Sequence, residues 1–400
     1  MKHIFLLVLP LLMMPCALPG AEKETFVITK SVSDNPTLSF SGLASHPGFD
    51  KELRSILAAC GWFDIVPSKG QYELKASSIP GLIRLELTLG GAPAGTWRLP
   101  TSGNVRSLAK LAVDAIIEKS FAALKIRRFC NSQIAFCAET RPGIRNVFLC
   151  DIDGGDVRQL TSFRNLCVEP AWFPNGKSVV YTKYNPGGMD VLETRLSPHA
   201  TRRLIGLKGI NAGAAVSPDG KRLAAILSPD HNVDLYTIEL ASGRRTRLTR
   251  GIAVEASPCW SPDGQKLVYV SDETGNPRLF ICDRNGKNRT RLPSVGRDAV
   301  TPDWSYNGKI VYAAKVDGQY TVAVFDPKTG ENKRVVTAGG NWESPAWAAD
   351  GRQVVCKRTS GGSSALYVID TWTGRIRKLL STPHNLYTPA WSPCVINREK

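Results

Sequence analysis

Hydrophobic and polar positions follow different patterns in the two halves of this chain. From about residue 132 onward, short alternating runs typical of β-strands recur in groups of four, separated by turn residues. Before residue 128 the pattern is mixed, because apolar residues at helical spacing occur in Asp50–Cys60 and again from Asn104 to about Leu124. Strands are predicted there over Phe26–Thr29, Gln71–Ser77, Ile83–Leu89 and Thr96–Leu99.

One motif recurs through the second region at a nearly constant interval. Its fullest copy is Pro258–Gly264, and its aromatic position falls at 172, 260, 304, 347 and 391, with Val216 in the remaining copy. The steps are 44 residues, with a single step of 43. An apolar residue of each fourth strand keeps the same interval, at 160, 204, 248, 292, 336 and 379. A period of roughly 40–45 residues with turn chemistry in each repeat predicts the blades of a β-propeller.

Six blades follow if the two ends of the repeat region share one blade. The first three strands, within 132–161, lack an inner strand, whereas the strand near Trp391 lacks the three that would follow it. We therefore expect the C-terminal strand to join them and close the ring without an open edge. The predicted fold is a small two-layer α/β N-terminal domain over 22–128, with both helices on one face of its sheet, followed by an all-β six-bladed β-propeller over 129–400.

The N-terminus and the charge balance bear on where the protein acts. Lys2 precedes an uninterrupted apolar run from Ile4 to Met14, which is too short to span a bilayer and predicts a signal peptide over 1–21, in preference to a buried strand. The net charge of +16 is compatible with nucleic acid, a membrane surface or an anionic partner. Basic residues precede the repeated apolar position in blade after blade, however, which favours protection of the outer strands and disfavours nucleic acid.

No motif for catalysis, a metal or a cofactor occurs in the sequence. There is no G-x-S-x-G elbow, the five histidines lie far apart, and the ten cysteines include no C-x-x-C pair. Asp151–Asp156 resembles a calcium loop but is too short, so we expect a hairpin turn there. The cysteines are expected mainly as small buried residues, and the sequence leaves any disulfide pairing open.

We therefore predict a binding face rather than a catalytic site. The loops between second and third strands, and those from each fourth strand to the next inner strand, lie at one end of a propeller, where loops on a rigid ring recognise partners. The candidate partner-binding residues are Glu169, His231, Arg250, Glu255, Asp272, Arg297, Asp298, Trp342, Glu343, His384 and Tyr387.

The signal-like start, the small α/β region and the six Trp-Ser-Pro-Asp-Gly blades together resemble the TolB family of the Gram-negative Tol–Pal system. The segment from Asp50–Arg54 to Phe63–Val66 is also similar to the family's first helix and following strand. The resemblance implies a non-enzymatic periplasmic protein that binds the peptidoglycan-associated lipoprotein Pal through the propeller face and supports outer-membrane integrity and cell division. It also implies a segment, about Glu22 to Thr29, that contacts TolA or packs back on the protein as a switch.

Two other functional classes stay open from the sequence. One is a propeller enzyme, a peptidase or lyase, although the channel loops offer no pair of nucleophile and base. The other is a polysaccharide-binding module of the envelope, in which Trp342 and Tyr387 stack on sugars. If the face is assigned correctly, charge reversal at Glu169, Glu255 and Glu343 should weaken partner binding.

Overall fold

A computed structural model describes residues 35–393 of the chain. The predicted signal peptide, the predicted strand Phe26–Thr29 and the segment of Glu22 to Thr29 lie outside the described residues. No helix within 35–393 has the length and apolar character needed to cross a membrane.

The N-terminal part is a small sheet with two helices, as the sequence predicts, but the sheet has five strands within the described residues. In chain order its elements are β1 (Thr37–Ser41), α1 (Pro47–Cys60), β2 (Asp64–Val66), β3 (Tyr72–Ile79), β4 (Leu82–Leu89), β5 (Ala92–Pro100) and α2 (Val105–Ser120). The sheet order is β2-β1-β3-β4-β5. Strand β1 pairs in parallel with both β2 and β3, whereas β3, β4 and β5 form an antiparallel meander. The sequence prediction missed β1.

Both predicted helices are present, with one end of each as predicted and the other end shifted. Helix α1 ends at Cys60 but begins at Pro47 rather than Asp50, and α2 begins after Asn104 but ends at Ser120 rather than near Leu124. In α1 the apolar stripe Leu53, Ile56, Leu57 and Cys60 is buried, and Gly61 ends the helix with φ of 68°. In α2 the side chain of Asn104 accepts a hydrogen bond from the Ser107 amide at 2.9 Å, which satisfies one of the free amides of the first turn. A single 3-10 turn, Ala122–Leu124, follows α2 and leads into the propeller.

The remainder of the described chain forms six four-stranded blades, which confirms the predicted six-bladed β-propeller. Blade 1 contains β9 (Cys167–Trp172), β10 (Ser178–Asn185), β11 (Gly188–Arg195) and β12 (Ala200–Ile205). Blade 2 contains β13 (Asn211–Val216), β14 (Arg222–Leu227), β15 (Asp234–Glu239) and β16 (Arg245–Arg247). Blade 3 contains β17 (Glu255–Trp260), β18 (Lys266–Ser271), β19 (Arg278–Asp283) and β20 (Thr290–Arg291).

The last three blades include the one that joins the two ends of the propeller. Blade 4 contains β21 (Ala299–Trp304), β22 (Ile310–Val316), β23 (Gln319–Phe325) and β24 (Asn332–Arg334). Blade 5 contains β25 (Asn341–Trp347), β26 (Gln353–Ser360), β27 (Ser363–Asp370) and β28 (Ile376–Leu380). Blade 6 has the order β29-β6-β7-β8, from β29 (Leu386–Trp391), β6 (Gln133–Arg141), β7 (Ile144–Asp151) and β8 (Arg158–Gln159).

The Ser-Pro-Asp-Gly motif forms the turn between the first two strands of a blade. In blade 3 the Ser261 hydroxyl donates to Asp263 at 2.5 Å and accepts from the Lys266 amide at 2.9 Å. Gly264 has φ of 66°, which a side-chain-bearing residue adopts only with strain. Two of the motif tryptophans also hydrogen-bond to a neighbouring blade, since Trp172 Nε1 donates to the Ala390 carbonyl of blade 6 and Trp260 Nε1 to the Ala215 carbonyl of blade 2, both at 3.1 Å. The motif therefore fixes the ring rather than a recognition site.

Candidate protein-binding face

The α/β part covers one end of the propeller. Trp62 Nε1 donates to Asp350 Oδ2, in the turn between the first two strands of blade 5, at 3.1 Å. The guanidinium of Arg352 lies between the rings of Trp62 and Trp372, at 4.6 and 4.8 Å from their centroids, and pairs with buried Asp370. These contacts lie in the turns between strands one and two and between strands three and four.

A second group of contacts joins α1 and α2 to blade 6. Arg106 of α2 pairs with Asp151 at 2.7 Å, with Asp153 at 2.5 Å and with Glu52 of α1. Lys110 pairs with the same Asp151 at 2.7 Å. Asp151 is the last residue of β7 and Asp153 lies in the predicted turn between β7 and β8, so this turn also holds the α/β part in place. Successive turns of an antiparallel blade alternate between its two ends, and the end with the other two loop sets is therefore left open.

The candidate binding residues map to that open end. Most of them are exposed or half-buried there, namely Glu169, His231, Arg250, Asp272, Arg297, Glu343, His384 and Tyr387. Glu169, Glu343 and Tyr387 lie in the first half of inner strands rather than in loops. The loops have their own internal contacts, because Asp272 accepts from the Val254 amide at 2.8 Å and Arg297 donates to Asn276 at 3.0 Å.

Three of the candidates are buried, which corrects their assignment as surface residues. Trp342 is only 1% exposed, because its ring packs on Tyr367 and its Nε1 donates to the Ala338 carbonyl at 2.9 Å. Glu255 lies beneath Arg289 and is 3% exposed. Asp298 is also buried, and its Oδ2 forms an ion pair with Lys315 Nζ at 3.7 Å. Trp342 is therefore unavailable for stacking on a sugar.

The inner strands enclose a channel with a cavity volume of about 580 Å³. Each inner strand has one channel residue in the left-handed region, at the point where its register with the second strand shifts. These residues are Glu169, Gly213, Ser257, Thr301, Ser344 and Thr388. A proline follows five of the six, although left-handed backbone is uncommon for residues other than glycine. The paired blades hold these bulges in place, and the motif alone gave no sign of them.

One residue pair in the channel wall departs from the alanines at equivalent positions. Cys259 of blade 3 lies with Sγ 3.4 Å from Oδ1 of Asp303 in blade 4, and Oδ2 of Asp303 accepts from the Trp347 amide of blade 5 at 2.6 Å. Burial raises the pKa of the Cys259 thiol well above its usual value, and burial also raises the pKa of Asp303. The thiol is therefore protonated near neutral pH and is a poor nucleophile.

A cluster of cations and aromatic rings lies at the open end where blades 5, 6 and 1 meet. We call it the cationic shelf and define it by Arg145, Lys183, Tyr184, Lys357 and Tyr387. The guanidinium of Arg145 lies 3.7 Å from the centroid of the Tyr387 ring, and Lys357 Nζ lies 5.6 Å from the same ring. Burial raises the pKa of Tyr184, the Glu169 carboxylate adds to this rise, and the charge of Arg145 opposes it.

The described residues contain neither a cluster of metal ligands nor a disulfide. Within 35–393, no three His, Cys, Asp or Glu side chains are grouped as ligands for a metal ion. All eight cysteines of this range are free, and all except half-buried Cys259 are buried.

Comparison with known proteins identifies relatives for both the propeller and the whole described fold. A family model described as "TolB beta propeller domain" matches residues 124–395, which is more than half of the chain. A solved structure titled "Crystal structure of TolB from Acinetobacter baumannii" superposes with a TM-score of 0.79 and 20% identity, covering 92% of this chain and 98% of that one. At this identity the superposition supports the fold alone.

Curated relatives match shorter segments. "Protein TolB homolog" of Chlorobium luteolum is 28% identical over 203 residues, which cover 42% of this chain and 44% of that protein. "Tol-Pal system protein TolB" of Desulfosudis oleivorans is 32% identical over 86 residues, which cover 18% of this chain and 19% of that protein. The matched segments thus span less than half the length of these relatives.

Proposed function

This chain belongs to the TolB propeller family, and from that premise we propose that it is a non-enzymatic periplasmic component of a Tol–Pal system. In this role it binds the peptidoglycan-associated lipoprotein Pal through the open end of its propeller and helps to maintain outer-membrane integrity and cell division. The observation that carries the proposal is the state of that end, where the α/β part makes no contact among the described residues and an apolar side chain is fully exposed.

That side chain is Ile252, in the loop between β16 and β17. It is 100% exposed, and Val254 two residues later is 48% exposed. Arg250 and Asp272 lie beside them in the same or the neighbouring loop. An apolar tip within a polar rim is the arrangement of a protein-binding surface, because the apolar core of such a surface loses water when the partner docks. This favours a protein partner over a polysaccharide, as does the cover that Arg145 provides for the ring of Tyr387.

Calorimetric titration of the purified protein with the soluble domain of the Pal-like lipoprotein tests the proposal. Ile252→Ser should weaken binding roughly 10-fold or more, because full burial of an isoleucine contributes about 1.5–3 kcal/mol. The matched control is Leu111→Ser, which changes a side chain on α2 that is 45% exposed. The same affinity for Ile252→Ser and the unchanged protein would move the site elsewhere, and no binding by the unchanged protein would refute the proposed partner.

Of the three glutamates chosen for charge reversal, Glu255 is buried and the other two are already engaged within the protein. Glu169 Oε2 accepts from the Gly213 amide at 2.9 Å, and Glu343 pairs with Lys357 at 2.6 Å. Charge reversal at either position would therefore change the local structure as well as any contact with Pal. Substitutions at exposed His231, Arg250 and His384 report on the proposed contact more directly.

The Cys259–Asp303 pair in the channel also supports a binding protein rather than an enzyme. The pair resembles a nucleophile beside a base, but burial keeps the thiol protonated. Iodoacetamide should therefore modify Cys259 in the folded protein no faster at pH 7 than a free cysteine peptide. Faster modification would identify an activated thiol and reopen the enzymatic alternative.

Export and the N-terminal segment complete the proposal. We expect removal of residues 1–21 on export to the periplasm, and contact of about Glu22 to Thr29 with a TolA-like protein. Periplasmic fractions should contain protein that begins after residue 21, and deletion of residues 22–29 should abolish co-purification with TolA. Retention of the first 21 residues in the mature protein, or unchanged TolA recovery, would contradict these parts.

A further inference from the structure

Arg145 is held in a fixed position without a charged partner. Its guanidinium stacks on Tyr387 at 3.7 Å, and no Asp or Glu within residues 35–393 forms an ion pair with it. Its Nε is buried and has no hydrogen-bond acceptor among the described residues. A planar guanidinium fixed on an aromatic ring keeps an outward edge of N–H donors, which suits bidentate binding of a carboxylate.

Three other cations at this end have carboxylate partners, unlike Arg145. Lys357 pairs with Glu343 at 2.6 Å, and Lys315 pairs with Asp298 at 3.7 Å. Arg289 pairs with Glu273 at 2.6 Å. Since burying an unpaired charge is unfavourable, an arginine without a carboxylate at an interface is expected to receive one from the partner.

The surroundings of Arg145 favour the same kind of partner. Lys183 lies 4.9 Å from the Phe163 ring and donates to Asn185, so its charge also lacks a carboxylate partner among the described residues. Oε2 of the nearby Glu169 carboxylate accepts hydrogen bonds from the Gly213 amide and the Thr182 hydroxyl. The loops over blades 2 to 4 carry four acidic residues, at Asp230, Asp272, Glu273 and Asp317, beside the two exposed arginines Arg250 and Arg297.

The geometry points to the cationic shelf as a carboxylate-binding site that receives an acidic side chain from a polypeptide partner at the mouth of the propeller. Arg145 binds the carboxylate, Tyr387 positions Arg145, and Lys183 adds to the positive potential. The loops over blades 2 to 4 have a more acidic balance and are less favourable for the same segment, which favours docking over blades 5, 6 and 1. The inference rests on the proposed function for the identity of that partner, whereas the carboxylate site can be tested without it.

The first experiment uses calorimetry with the soluble domain of the Pal-like lipoprotein. Arg145→Gln should weaken binding roughly 10- to 100-fold, because it removes charge-assisted hydrogen bonds. The affinity of Arg145→Lys should lie between those of the unchanged protein and Arg145→Gln, since lysine keeps the charge without the bidentate geometry. The control is Arg245→Gln, which removes the same charge from an exposed position on outer strand β16 and should leave the affinity unchanged. Equal affinities of Arg145→Gln and Arg245→Gln would overturn the inference while leaving the proposed function intact.

A second experiment separates the site from the identity of the partner. A hexaglutamate peptide should bind the unchanged protein more tightly than a hexaglutamine peptide, and Arg145→Gln should abolish the difference. If the lipoprotein domain does not bind but hexaglutamate binding requires Arg145, the proposed partner is wrong and the carboxylate site stands. Equal binding of the two peptides, or hexaglutamate binding that survives Arg145→Gln, would overturn the inference. Unchanged thermal unfolding of each variant excludes misfolding as the cause.

Discussion

Glu255 is a carboxyl group that the fold almost completely removes from water. Burial raises its pKa to about 7, from 4.5 in an exposed position. A hydrogen bond from Ser271 and the charge of Arg289 oppose the rise, whereas the carboxylates of Glu273 and Asp234 add to it. One carboxyl oxygen, Oε2, has no hydrogen-bond partner among the described residues. The folded protein therefore retains a proton here at pH values where the unfolded chain has lost it.

This difference predicts how stability depends on pH. Between about pH 4.5 and 7 the folded state binds more protons at Glu255 than the unfolded state, so the contribution of this residue to the free energy of unfolding falls as pH rises. The free energy of unfolding of Glu255→Gln, relative to that of the unchanged protein, should therefore rise by on the order of 2–3 kcal/mol from pH 5 to pH 8. Urea unfolding at each pH measures the difference. Exposed Glu331→Gln is the control, and parallel pH profiles for Glu255→Gln and the unchanged protein would contradict the assignment.

The same scale shows where sequence reasoning stops. Position within a repeat places Trp342 and Glu255 near the open end, and the structure agrees with that placement. Their burial depends on Tyr367 and Arg289, which lie on other strands. No local pattern in the sequence encodes these neighbours. The prediction that Trp342 and Glu255 are exposed was therefore wrong, although their placement at this end was right.

At the scale of elements, the hairpin turn explains why the motif repeats. Ser217, Ser261 and Ser305 each donate a hydroxyl hydrogen to the acidic or amide side chain two residues later and accept from the backbone of the second strand. Blade 5 has Ala348 at this position and forms the turn without the hydroxyl, through backbone bonds and the Asp350 side chain, which accepts from the Arg352 and Gln353 amides. The hydroxyl thus strengthens the turn without being required for it.

Ser261→Ala should therefore lower the free energy of unfolding by about 1 kcal/mol without changing the fold, because it removes hydrogen bonds that are only partly buried. Urea unfolding measures the loss, and far-ultraviolet circular dichroism checks the fold. Ser363→Ala is the control, since its exposed hydroxyl makes a single bond to the Ser360 carbonyl. A loss at position 261 no larger than at position 363 would show that the turn does not depend on the hydroxyl.

Elements with a strong period were predictable, and those that depend on distant partners were not. The blades follow from two independent positions that keep one interval, and α1 and α2 follow from their apolar stripes and caps. Strand β1 has only 5 residues, and its parallel partners β2 and β3 follow after a helix. Its pairing is therefore set by tertiary contacts rather than by its own sequence.

At the scale of the molecule, buried ion pairs join the two parts of the fold. Arg106 is shared by Glu52, Asp151 and Asp153, and Asp151 is almost fully buried. These residues are 45 to 54 positions apart in the sequence, so no spacing rule could have predicted the contact. The contact matters for function because it keeps the α/β part on one end and the opposite end open.

Arg106→Ala should destabilise the protein by about 1.5–3 kcal/mol, because Glu52 and Asp153 lose their charged partner whereas Asp151 keeps its pair with Lys110. Arg128→Ala is the matched control, because its pair with Glu118 is exposed on both sides and contributes at most about 1 kcal/mol. Thermal unfolding gives the stabilities, and limited proteolysis should cut the link near residues 125–128 faster in Arg106→Ala. Equal losses in the two variants would show that the Arg106 cluster does not hold the parts together.

The central claim is that the open end of the propeller receives the lipoprotein. Hydrogen–deuterium exchange of the purified protein, with and without the soluble domain of the Pal-like lipoprotein, tests it most directly. The account predicts slower exchange in the loops of residues 160–166 and 248–254 and unchanged exchange in the turns of residues 348–352 and 151–155. Slower exchange confined to those turns, or no change in any loop of the open end, would contradict it.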